Sequence, residues 1–197
     1  MKASQALVWF CIGAIVAGAI AYALGWQGGF NVGWQSGYAS APAAPTAVTP
    51  VSLEITQTGG TTFNISANVS SDGSATAAEQ SLAVTIENED NESATVQILL
   101  KNPKTGEEGL PSGLENAYFN VWAGSSTQKV YLFKDGSYTN GYQFDILPNT
   151  IITGYIGIEV ETAPSGTFAD NQTYTMEVYI YQPDANYVET ISYTVLT

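Results

Sequence analysis

Two periodicities divide this chain. Over the first 38 residues a pattern recurs every four positions, as Ala21-Tyr22, Gly25-Trp26, Gly29-Phe30, Gly33-Trp34 and Gly37-Tyr38. Beyond residue 51 the period shortens to two, as in Leu82/Val84/Ile86, Val96/Ile98/Leu100, Ile156/Ile158/Val160 and Met176/Val178/Ile180. A four-residue period places side chains on one face of a helix, whereas a two-residue period places them on one face of a strand.

The first region predicts one long helix over residues 1–38. On it Gly13, Ala17, Ala21, Gly25, Gly29, Gly33 and Gly37 form a smooth ridge. Tyr22, Trp26, Phe30, Trp34 and Tyr38 run beside the ridge as an aromatic row, followed by Gln27, Asn31 and Gln35. Small residues at this spacing let helix backbones approach closely, which is how helices associate in lipid. Ala6 to Leu24 is apolar throughout, enough to cross a hydrocarbon core that needs ~20 residues. Lys2 favours a cytoplasmic N-terminus and a domain outside the cell. A helix from Ser4 to Tyr38 would run about 52 Å, so its glycine-rich end would emerge from the lipid. Glycine costs roughly 1 kcal/mol against alanine in a helix, so those turns need a packing partner. A homo-oligomer or filament is the expected result. Two other readings stay open. The segment could be a cleaved signal peptide with Ala21-Tyr22-Ala23 at the cleavage site, or the small residues could be ordinary membrane-helix composition.

Residues 39–50 (ASAPAAPTAVTP) form an Ala/Pro spacer, extended and fairly stiff. From 51 to 197 the alternation predicts strands at Val51–Thr56, Thr62–Val69, Ser81–Asn88, Ala94–Lys101, Ala117–Trp122, Lys129–Phe133, Tyr142–Leu147, Ile151–Glu161, Thr173–Tyr181 and Tyr187–Leu196. Asp72-Gly73, Pro103, Asp135-Gly136, Asn140-Gly141 and Pro164-Ser165-Gly166 supply the turns between them. Many short strands with regular turns predict an all-β antiparallel sandwich of immunoglobulin-like type.

Charge and composition narrow the function. The chain has 197 residues, 18 acidic and 5 basic side chains, no His and one Cys. All five cations are lysines and Cys11 lies in the apolar segment. Without Arg, an acidic surface has no bidentate grip on phosphates and repels polyanions, which excludes nucleic acid as a partner. Without His, there is no Ser-His triad, no His-ligated metal and no histidine switch. We therefore expect no enzyme, no cofactor and no metal. The acidic run Glu87, Glu89, Asp90 and Glu92 lacks the spacing of a calcium loop and reads as a solvated turn; Glu159, Glu161 and Asp170 read likewise.

Four Asn-x-Ser/Thr sequons, at Asn64, Asn68, Asn91 and Asn171, fit a glycosylated extracytoplasmic surface. With Met176, Val178 and Ile180 inward, Tyr179 and Tyr181 are expected to face outward, as is Tyr155. These tyrosines are candidate contacts for a glycan or a surface protein, alongside Tyr187. The other reading is that they pack across neighbouring strands.

Two resemblances follow from these residues. Leu82–Asn88, the turn Glu89–Ser93, Ala94–Ile98 and Thr173–Val178 resemble strands of immunoglobulin-like modules in prokaryotic surface proteins, which implies that fold and location. Lys2-Ala3 followed by the uncharged helix from Ser4 resembles the N-terminus of archaeal pilins and archaellins. That implies cleavage before Ser4 and a helix Ser4–Gly25 in a filament core. The expected protein is thus a membrane-anchored cell-surface protein with a structural or adhesive role that self-associates through its glycine-ridged helix, a pilin-like filament subunit being one form; an anchored or secreted glycan-binding sandwich is the alternative.

Overall fold

The computed structural model describes residues 48–125 and 127–197. The expected helix over 1–38, with its ridge and aromatic row, lies outside the described residues. Ala47–Thr197 form one compact unit. Among the described residues no helix is long and apolar enough to cross a membrane.

The unit is all-β, with eleven strands: β1 (Leu53–Thr56), β2 (Thr62–Asn64), β3 (Ala78–Asn88), β4 (Ala94–Leu99), β5 (Phe119–Gly124), β6 (Lys129–Lys134), β7 (Ser137–Tyr138), β8 (Tyr142–Ile146), β9 (Thr150–Val160), β10 (Thr173–Gln182) and β11 (Tyr187–Leu196). They form two sheets, ordered β1-β3-β9-β5-β6-β7 and β2-β11-β10-β4-β8. Every pairing is antiparallel except β2 with β11, which is parallel.

The two-residue period sets the register. Leu82 faces Ile156, Val84 faces Gly154 and Ile86 faces Ile152 across β3 and β9. These inward positions join Phe119, Val121 and Ala123 of β5. From the second sheet come Val96 and Ile98 of β4, Met176, Val178 and Ile180 of β10, and Ile191, Tyr193 and Val195 of β11, all buried in one core. Phe63 and Tyr193 meet with ring centroids 5.4 Å apart. Each fully buried Val, Leu, Ile or Phe favours the folded state by about 1.5–3 kcal/mol relative to exposure.

Two buried amides fasten the end at which the chain enters. Gln182 accepts from the Val51 N–H at 2.9 Å and donates to the Val51 carbonyl at 2.8 Å. Asn88 is fully buried; it donates to the carbonyls of Glu92 at 2.7 Å and Leu147 at 3.1 Å, and accepts from the Asp90 N–H at 3.0 Å. A buried amide persists where both its ends find partners.

The strand expected over Thr62–Val69 is interrupted. It stops at Asn64, and Ser66–Asn68 form a 3-10 turn. The Asn64 side chain causes the break: its Oδ1 accepts from the Ser66 N–H at 3.1 Å and the Ser66 hydroxyl at 2.7 Å, a local bond that competes with the ladder. Ala67, which would share the inward face of an unbroken strand with Phe63 and Ile65, is exposed as a result. The strand expected to reach Lys101 ends at Leu99, and β7 is an addition of two residues.

Candidate functional site

An apolar cleft lies between the sheets, on the side where both have an edge. β8 is the last strand of its sheet. In the other sheet, β5 pairs with β9 only over Tyr155–Val160, so Thr150–Gly154 has β3 on one side and, among the described residues, no strand on the other. The resulting cleft has a volume of about 230 Å³. Its floor is Val84, Ile86 and Ile98, all buried; half-buried Tyr142, Phe144 and Ile152 form its walls. The Tyr142 and Phe144 rings lie 5.3 Å apart at 34°.

Gly154 leaves space in the cleft, and Gly124 borders it. Gly154 occupies an inward position of β9, in register with Val84, and places no side chain where Ile152 and Ile156 place theirs. A Cβ there would lie 3.1 Å from the Gly124 carbonyl. Gly124 ends β5 with φ of 147°, a conformation side chains disfavour, and a Cβ on it would stand 2.1 Å from the Gln128 carbonyl.

Tyr155 alternates with Gly154 and Ile156, is half-buried, and borders the cleft. Tyr181 is half-buried, its hydroxyl 3.5 Å from Asn186 Oδ1. Tyr187 is 42% exposed. Tyr179 requires a correction. Expected to face outward, it is 1% exposed. The segment after β4 doubles back along the outside of the sheet: Gly109 donates to the Leu100 carbonyl and accepts from the Glu177 N–H at 2.8 Å, and Lys104 reaches the Asn186 carbonyl at 3.0 Å. Tyr179 lies under this segment and donates to Glu177 Oε2 at 2.9 Å. Burial first, then the Glu177 carboxylate, pushes its phenol well above the usual range. It offers no surface to a ligand, and the structure does not bring Tyr155, Tyr179 and Tyr181 together as one exposed platform.

Of the sequon asparagines, Asn64, Asn91 and Asn171 are exposed and Asn68 is half-buried, donating to Thr76 Oγ1 at 3.2 Å. Asn91 accepts from Asn149 at 3.2 Å and Asn171 donates to Asp170 at 2.8 Å.

The acidic hairpin is tied into the fold: Asp90 accepts from the Ser52 N–H at 2.6 Å and Glu89 from the Ser52 hydroxyl at 3.4 Å. Among the described residues, no group of three or more His, Cys, Asp or Glu is placed to hold a metal ion.

A second cluster, absent from the sequence reading, covers the outside of the first sheet. Trp122 is buried against Gly157, and the Lys129 ammonium stands 5.1 Å from its ring. Lys129 also pairs with Glu79 at 2.7 Å and Glu159 at 3.9 Å. Tyr131 donates to Glu159 at 2.7 Å, and that bond is the main reason its phenol is pushed up to about 12. All of its ionic partners are satisfied within the cluster, so it reads as packing.

The cleft is barely marked in the sequence. Its one sequence signal is a glycine in an otherwise apolar inward row, which marks a close approach or a gap in a strand.

No family model matches the chain, and no curated protein matches it. Among solved structures, it is similar to the FixG-related protein from Vibrio parahaemolyticus at 8% identity, over 76% of this chain and 98% of that one, with a TM-score of 0.41. It is similar to the Salmonella enterica SafA pilin in complex with the SafB chaperone at 13% identity, over 76% of this chain and 55% of that one, with a TM-score of 0.37. The CooA pilin subunit from enterotoxigenic Escherichia coli gives 11% identity, 75% and 97% coverage, and a TM-score of 0.35. Overlaps of this size name no family.

Proposed function

We propose that this chain is a membrane-anchored cell-surface protein with a non-catalytic head of structural or adhesive role, and that its glycine-ridged segment assembles copies side by side. A pilin-like filament subunit is one form of this reading. The observation that carries it is the contrast within one chain: no charged residue occurs between Ala3 and Leu53, whereas Ala47–Thr197 form a compact two-sheet unit. An uncharged stretch with seven small residues at four-residue spacing suits close helix packing in lipid. The strand order, with short β2 parallel to the final strand, supports an immunoglobulin-like head. In this reading the chain crosses the membrane once, with the N-terminus in the cytoplasm.

Sedimentation and cross-linking of the full chain extracted in detergent test the assembly. Oligomers are expected for the wild type, shifting to monomer in Gly29→Leu and Gly33→Leu. A monomeric wild type, or variants that assemble as before, would overturn it. Sequencing the mature N-terminus separates the anchor forms: Met1 marks an uncleaved anchor, Ser4 pilin-like processing and Leu24 a secreted protein.

The second reading, a glycan-binding module, draws on half-buried Tyr155 and Tyr181. Binding on a glycan array that is lost in Tyr155→Ala or Tyr181→Ala would favour it.

A further inference from the structure

We infer that the inter-sheet cleft is a binding site for a small, uncharged aromatic molecule of about two fused rings. The inference stands apart from how the chain is anchored. It begins with volume. A dry engineered cavity of about 150 Å³ lined by aliphatic and aromatic side chains binds benzene; the cleft here offers about 230 Å³, room for a second ring. Its lining has the chemistry for one: Val84, Ile86, Ile98 and Ile152 supply aliphatic contact, and the Tyr142 and Phe144 rings face the same space. Ring-sized pockets of this kind, mostly apolar with a few polar groups at the mouth, are where small molecules bind.

The space is built into the chain. Gly154 stands at a core-facing position between Ile152 and Ile156, and Gly124 stands beside it on the next strand. A Cβ at Gly154 would meet only the Gly124 carbonyl, at 3.1 Å, so the gap follows from the side chain that Gly154 lacks.

Charge sets the class of ligand. Among the described residues, no lysine lines the cleft, and its one ionisable acid is Asp145, which accepts the Thr95 hydroxyl at 2.9 Å. A carboxylate or phosphate entering the cleft would lose hydration, find no cation and approach an acid. The backbone groups of Thr150–Gly154 that point away from β3, with no strand beside them among the described residues, offer hydrogen bonds to one polar end of the ligand.

The test uses the full chain in detergent, labelled for NMR, with indole as the neutral probe and indole-3-acetate as the anionic one. A fragment of this size binds in roughly the millimolar range. Indole should shift the amide signals of Gly124, Gly154 and Tyr155 saturably, and give intermolecular NOEs to Ile152 and Phe144. Indole-3-acetate should bind several-fold more weakly, and Gly154→Leu should abolish the indole shifts. The NOEs place the probe in the wild type, so the site can be judged even if Gly154→Leu fails to fold. The inference is overturned by an absence of saturable shifts up to about 10 mM, by NOEs to residues outside the cleft, or by equal binding of the two probes. Protection of the β9 edge by an extended peptide with no response to indole would also overturn it, by assigning the cleft to a strand.

Discussion

The Ser165 hydroxyl donates to Asp72 Oδ2 at 2.7 Å, joining two turns 93 residues apart in the chain. Asp72 also accepts from the Ser74 N–H at 3.0 Å and the Ser74 hydroxyl at 2.7 Å. Gly73 reinforces the joint: its carbonyl accepts from the Thr167 and Phe168 N–H groups, at 3.1 and 3.0 Å, and its φ of 79° suits glycine.

These donors hold the Asp72 carboxyl down to about 2, the Ser74 N–H contributing most. The folded state therefore favours the carboxylate. Its contribution is whole above the unfolded value of about 3.9 and is lost as pH falls through 2. Asp72→Ala should be less stable than wild type in urea at pH 7, and the difference should collapse near pH 2. A gap that is constant with pH would show that the charge plays no part.

Gly157 has no space for a methyl group, because a Cβ would stand 2.1 Å from the Trp122 ring. Gly157→Ala should destabilise by about 1–3 kcal/mol through overpacking. Trp122→Leu should absorb much of that cost, so the double mutant should lose less than the sum of the singles. Chemical denaturation of the four proteins measures the coupling, and strict additivity would refute the contact.

Tyr179→Ala removes a buried ring and should cost about 3–5 kcal/mol. Tyr181→Ala should stay within about 1 kcal/mol, since its ring is half-buried. Denaturant midpoints distinguish the two. A ligand lost in Tyr179→Ala would therefore report damage to the fold, which leaves Tyr155 and Tyr181 as the informative positions.

Tyr131, raised to about 12 by its bond to Glu159, should titrate above the usual phenol value of about 10. Folding favours the protonated ring, so its contribution is whole below 10 and is lost as pH rises through 12. Glu159→Gln should bring the midpoint down toward 10. The ¹³C shift of the Tyr131 ring carbon follows it, and an unmoved midpoint would discount the carboxylate.

Much of the fold was legible because alternation is written into adjacent residues. Tyr187–Leu196 matches β11 end to end, and the inward rows of β3, β9 and β10 lie where Leu82, Ile156 and Met176 put them. The misses share a cause: each depends on residues distant in sequence or on a side chain bonding its own backbone. Tyr179 is covered by a segment that returns from Lys101 to Leu110, which no two-residue period encodes. The break after Asn64 comes from its own side chain, which accepts from the Ser66 N–H and hydroxyl. The cleft lies between Gly154 of one sheet and Tyr142 and Phe144 of the other, a juxtaposition that becomes visible only once the two sheets are stacked.

The amide of Gln182 holds both polar groups of Val51, and Gln182 ends β10, the middle strand of its sheet. Tension drawn on the chain ahead of Val51 would meet that pair of hydrogen bonds first. Because β1 belongs to the opposite sheet, the load would be divided between both layers before the outermost strand could peel away.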